Sequence, residues 1–138
     1  MNIDQVASAI KDKGISLTKA RKSIIDVMLK FDRPLTGPEI LNELDGSMDE
    51  STVYRNLALL ERIDIVACLQ LDKKGIHYEL KNPKAKHHHH HIVCNICNKI
   101  VCLDICAVSG ILNTLSKNTG FKDIEHSLEF YGTCETCA

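Results

Sequence analysis

Residues 51–81 read STVYRNLALLERIDIVACLQLDKKGIHYELK, and two periodicities meet inside them. Val53, Leu57, Leu60 and Ile63 recur at helical spacing and predict a helix with one face on a core. From Asp64 onward the chain alternates instead, in two runs about a Lys-Lys-Gly turn, which predicts a β-hairpin. Opposite the apolar stripe the helix carries Ser51, Thr52, Tyr54, Arg55 and Asn56. These groups can hydrogen-bond bases and phosphates, and they would equally suit a merely solvated face. If the hairpin turn is the pair Lys73–Lys74, then Cys68, Gln70, His77 and Glu79 share a face, with Cys68 directly opposite Glu79.

Upstream the pattern is helical. Val6, Ala9 and Ile10 make a short amphipathic helix ending near Gly14. In SLTKARKSIIDVMLKF (16–31), a Ser/Thr cap candidate precedes Ile24, Ile25, Met28 and Leu29 at helical spacing. PLTGPEILNEL (34–44) predicts a third helix with Thr36 as cap and Pro38 in the first turn. Short helices followed by a hairpin are the order of a winged helix-turn-helix, whose last helix enters the DNA major groove beside the wing. Arg21 and Lys22 on the helix at 16–31 are weaker candidates for the same surface.

Composition breaks after the hairpin. All cysteines but Cys68 follow residue 93, and all histidines but His77 follow residue 86. KNPKAK (81–86), with Pro83 and no apolar side chain larger than alanine, reads as a hinge between a domain at 1–80 and another at 87–138. HIVCNICNKIVCLD predicts strands around a cysteine knuckle. VSGILNTLSKN puts Val108, Ile111, Leu112 and Leu115 on one helical face, and FKDIEHSLEFYG reads as a further strand. So small an α+β domain has a modest core, which metal or dimerisation would help to stabilise.

Cys94-x-x-Cys97 and Cys134-x-x-Cys137 lie 36 residues apart. Two such pairs suit tetrahedral zinc, since each knuckle turn points two sulfurs at one ion; unligated buried cysteines or a redox dithiol are the competing readings. The histidine run 87–91 resembles a purification tag in composition, but its position beside a knuckle argues for an endogenous metal-binding segment. In an extended chain His87, His89 and His91 face one way, His88 and His90 the other. His126 is a further candidate ligand, or an ordinary strand histidine. Cys68 could join Glu79, His89 and His91, or be a small buried hydrophobe. Cys102 lies close enough to the knuckle to reach a nearby ion, while Cys106 and His87 have no assigned role.

Hydrophobic residues make up 44% of the 138 and charged ones 25%, which fits a folded protein rather than a disordered one. No apolar run approaches the ~20 residues of a membrane span, and the first residues do not read as a signal peptide. The expectation is therefore a cytoplasmic protein, in which thiols stay reduced and favour metal. Residues 1–80 hold 11 Lys+Arg against 13 Asp+Glu, and residues 81–138 hold 6 against 5. Any DNA binding must then come from a local patch repeated in a dimer, not from a basic domain.

Taken together, LTKARKSIIDVM, STVYRNLALLE, HYEL, HHHHHIVCNICNKIV and GFKDIEHSLEFYGTCETC resemble the ferric uptake regulator (Fur) family over nearly the whole chain. The resemblance implies a winged-helix domain, a C-terminal dimerisation domain, and metal-controlled binding to palindromic double-stranded operators. Tyr54 and Arg55 match family DNA contacts; Cys94, Cys97, Cys134 and Cys137 match structural zinc ligands. Glu79, His89 and His91 match sensory ligands, and His88, His90 and His126 a second, less universal site. The departures bear on subtype. Pro34 stands where many iron and peroxide sensors carry histidine, Cys102 where an acidic ligand is expected, and Ser109 where the second site often has an acid. Cys68 falls in the hairpin region from which zinc-sensing members draw a ligand.

A thiolate in place of carboxylate softens the site, which ranks zinc above iron(II), leaves manganese possible, and demotes a peroxide-responsive regulator. The expected protein is a homodimeric, non-enzymatic repressor of metal-homeostasis genes. Its hinge geometry would place two recognition helices about one helical turn, ~34–36 Å, apart. A zinc-supported thiol redox protein using Cys102 and Cys106 is the alternative from another class. Nothing in the sequence resembles the nucleophile–base arrangement or substrate pocket it would need. A third reading, a metal-buffering protein that stores ions in the histidine run, leaves the Tyr54–Arg55 helix and the wing unexplained.

Overall fold

The computed structural model describes residues 1–31, 33–71, 75–82, 89–103 and 106–138. Lys73 and Lys74 of the expected turn, Pro83 to Lys86 of the expected hinge, and His87 and His88 lie outside these residues. The chain divides into two compact units, Met1–Ala85 and Lys86–Ala138.

In the first unit, α1 (Ile3–Asp12) begins in a capping box between Asn2 and Gln5, and Gly14 follows with φ +74. Thr18 caps α2 (Lys19–Lys30) by accepting from the Arg21 backbone N–H. Helix α3 (Gly37–Leu44) opens in a reciprocal box: Thr36 accepts from the Glu39 N–H while the Glu39 carboxylate accepts from the Thr36 N–H. Asp49 caps α4 (Glu50–Arg62). Ile10, Ile24, Ile25, Ile40, Val53, Leu57 and Leu60, fully buried, join the four helices in one core. Each such side chain contributes about 1.5–3 kcal/mol relative to exposure.

Strands β2 (Val66–Gln70) and β3 (Ile76–Leu80) form the expected hairpin, extended by a short strand, β1 (Leu35–Thr36), that pairs with β3. The register departs from the expected one. Five residues, an odd number, separate the strands, so Cys68 pairs with Tyr78 and Ala67 with Glu79. Cys68 therefore does not share a face with Glu79.

The second unit is a three-stranded sheet in the order β5-β4-β6 with one helix. Strand β4 (His90–Cys94) pairs antiparallel with β5 (Ile100–Leu103) and parallel with β6 (Glu129–Gly132). The expected strand over 121–132 is thus confined to its last four residues, and His126 precedes it. Helix α5 (Ser109–Thr119) buries none of its side chains, and Ile111 and Leu115 on its apolar face are exposed. Among the described residues of this unit, the buried apolar side chains are Val93, Cys94 and Ile100.

Candidate metal centres and nucleic-acid interface

Cys94 ends β4 and opens a tight turn: its carbonyl accepts from the Asn98 N–H, with Asn98 at φ +64, and its N–H donates to Lys99. Parallel pairing of β4 with β6 sets Cys94 beside Gly132, and Asn95 N–H donates to the Gly132 carbonyl. The second pair, Cys134 and Cys137, follows at once. All four sulfurs lie within 4.8 Å of one another. Tetrahedral zinc with bonds of about 2.3 Å requires sulfur–sulfur edges of about 3.8 Å. Cys97 and Cys134 are 3.7 Å apart, so the quartet fits such an ion.

The backbone prepares this cluster for charge. N–H groups of Cys134, Cys97 and Ile96 point at the Cys94 sulfur and hold its thiol down to about 6. The neighbouring Cys134 and Cys97 sulfurs push Cys137 up to about 12, because a further negative charge there has no cation to balance it. A dication removes that conflict.

The two faces of β4 carry different histidines. His91 is buried and pairs directly with Cys102 on β5, their ligand atoms within 4.8 Å. His89 is half-buried just before the strand. His90 points the other way, 2% exposed, and its Nδ1 lies 3.1 Å from the Leu128 carbonyl. A carbonyl only accepts, so Nδ1 carries the proton and Nε2 presents its lone pair. Nε2 of His126 is 3.3 Å away, with the rings tilted at 33°. Cys106 Sγ lies 3.6 Å from His126 Nε2, and the three ligand atoms fall within 4.8 Å of one another. Nothing in spacing pointed to Cys106; its neighbours are 16 and 20 residues away.

Glu79 lies on β3 in the first unit, half-buried. Cys68 is exposed, so it is not the small buried hydrophobe that is the alternative to a ligand; partial desolvation and then the Glu61 charge raise its pKa.

On α4, Ser51 and Arg55 are exposed and Thr52, Tyr54 and Asn56 half-buried. The Ser51 and Thr52 hydroxyls donate to Asp49, which holds its carboxyl well below the usual range. Asn56 donates to the Thr52 carbonyl at 2.8 Å. Arg21 is less available than its type suggests: its guanidinium donates to the Ser16 carbonyl at 2.6 Å. Sequence reasoning also missed Gly37, whose Cα faces the Tyr54 ring so closely that a Cβ would overlap it.

The ferric uptake regulator family model matches residues 12–131. The chain belongs to the ferric uptake regulator family. Members are metal-binding, DNA-binding transcription regulators. The ferric uptake regulation protein of Campylobacter upsaliensis is 29% identical, covering 98% of this chain and 88% of its own. That of Staphylococcus epidermidis is 31% identical, covering 99% and 96%. Among solved structures, the Helicobacter pylori ferric uptake regulator superposes with a TM-score of 0.77 at 28% identity, covering 98% of this chain and 90% of its own. It is described as revealing three functional metal binding sites. No described helix here is long and apolar enough to cross a membrane.

Proposed function

We propose that this family member is a homodimeric, metal-controlled repressor of metal-homeostasis genes that binds palindromic double-stranded DNA. The observation that carries the reading is a single chain joining two things: an α4 with Ser51 and Arg55 exposed, and a second unit with converging Cys and His ligand atoms. Arg55, Tyr54, Ser51, Thr52 and Asn56 form the DNA-reading face, with Arg55 the chief base contact. Arg21 contributes at most after releasing Ser16.

Cys94, Cys97, Cys134 and Cys137 hold a structural zinc, whose chemistry here is to cross-link β4 to the C-terminal turn. The sensory set is Glu79, His89, His91 and Cys102; the register that turns Cys68 away from the Glu79 face removes the geometric argument for including it. His88, His90 and His126 belong to the second site. The Cys102 thiolate favours zinc as the sensed metal, with iron(II) next and manganese third; iron is the metal in the curated relatives' name, ferric uptake regulation protein. A few kcal/mol of differential ion binding between DNA-competent and incompetent states suffices for switching. Dimerisation is supported by a row of exposed apolar side chains, Ile92 paired with Val101 on one side and Phe130 on the other.

A duplex selected from a random library by the zinc-loaded protein tests the DNA-reading face. The selected sequence should hold inverted half-sites, and Arg55→Ala should weaken binding roughly tenfold or more by mobility shift. Equal binding by Arg55→Ala would remove α4 from the interface.

A further inference from the structure

We propose that Cys106 completes the second centre with His90 and His126. This makes it a thiolate–imidazole site for a thiophilic divalent cation of the zinc class. The inference deepens the second-site reading above and rests on it for the two histidines.

Three observations carry it. First, the two edges that meet at His126 fit: zinc–sulfur and zinc–nitrogen bonds of about 2.3 and ~2.0–2.1 Å at the tetrahedral angle span roughly 3.6 Å between sulfur and nitrogen. The same bonds span roughly 3.3 Å between two nitrogens. The Cys106–His126 and His126–His90 separations are 3.6 and 3.3 Å. In the metal-free state a thiol hydrogen bond with His126 and an N–H···N bond between the two imidazoles can hold the same three atoms, and an ion would replace those protons at nearly the same separations.

Second, the Leu128 carbonyl fixes the His90 tautomer so that Nε2 turns its lone pair toward His126, as metal-bound imidazoles are commonly oriented from behind. Third, the ligands come from β4 and from two segments without regular structure, just before α5 and just before β6. An ion there would tie together parts of a unit whose described apolar core is Val93, Cys94 and Ile100.

The donor set decides the class of ion. Ser109, where the family's second site often has an acid, is exposed on α5, and the anionic donor comes instead from Cys106 three residues earlier. A thiolate with two imidazoles prefers zinc or cobalt(II) to manganese(II), which favours carboxylate and water. Three protein donors leave a fourth tetrahedral position for solvent.

Full-length Cys102→Ser protein, with zinc retained in the cysteine quartet, should bind one further cobalt(II) at this centre. That cobalt should show sulfur-to-cobalt charge-transfer absorption in the near ultraviolet. Adding Cys106→Ser should abolish the band and weaken this cobalt at least about tenfold, a loss that even an outer-shell change can produce. Wild-type protein gives an independent readout. Zinc beyond the quartet's equivalent should slow iodoacetamide alkylation of Cys106, manganese(II) should not, and His126→Ala should remove the protection. Tetrahedral cobalt bands without charge transfer, or a charge-transfer band surviving Cys106→Ser, would overturn the role of Cys106 alone. Absence of any further cobalt would overturn the second site as well. Loss of metal-dependent DNA binding, measured separately, would count against the regulator reading and not against this one.

Discussion

Gly37 and Tyr54 show how one residue governs the reading face. Gly37 opens α3, and the Tyr54 ring of α4 occupies the space a side chain would need. Alanine normally favours a helix over glycine by up to ~1 kcal/mol. Here Gly37→Ala should instead destabilise by about 1–3 kcal/mol, the usual cost of overpacking. In a Tyr54→Ala background that cost should vanish or reverse, and urea denaturation of the four-member cycle would measure the coupling. Additive effects would show that the ring does not depend on Gly37. Because Tyr54 neighbours Arg55, displacing the ring should also weaken DNA binding. No feature of the sequence announces this contact: the two residues are 17 apart, and a glycine before a proline reads as a helix start whatever it touches.

At the scale of elements, what was legible followed from local chemistry. Thr36, and a Ser/Thr candidate that the structure resolves to Thr18, marked helix starts because an N-cap satisfies donors two or three residues on, a relation visible in the chain itself. The core faces of α2 and α4 followed from spacing in the same way. Pairing was less legible. The hairpin register turned on whether the turn held an even or odd number of residues, and one residue reverses the face of Cys68. Strand β1 is two residues long, too short for alternation to reveal it. The knuckles were legible as pairs, yet their meeting depends on the parallel β4–β6 ladder, which no local pattern encodes. That ladder predicts a split response to metal removal. A strong chelator under reducing conditions should release amide exchange around Val93 and Ile100, while Ile24, Ile25 and Leu57 in the first unit stay protected. Unchanged protection in both units would show that the quartet does not support the second sheet.

For the whole molecule, the chain carries a helix-and-wing unit and a ligand-rich sheet unit, and the account requires that the second set the DNA affinity of the first. Family membership establishes a metal-binding transcription regulator; the sensed ion and the switching are what we propose for this chain. The departures read from its residues concern the donor set, which residue identity alone reveals: Cys102 for an acid softens it, and Pro34 for a histidine removes a donor. The convergence of Cys106 on His90 and His126 required the fold. The most direct test is fluorescence anisotropy on the selected operator duplex, with zinc kept in the quartet and the sensory ligands demetallated. Adding zinc should tighten binding at least about tenfold, roughly 1.4 kcal/mol, with iron(II) weaker and Cys102→Ser blunting the zinc response. Operator affinity that stays the same with zinc, iron(II) or manganese(II) added would contradict the account.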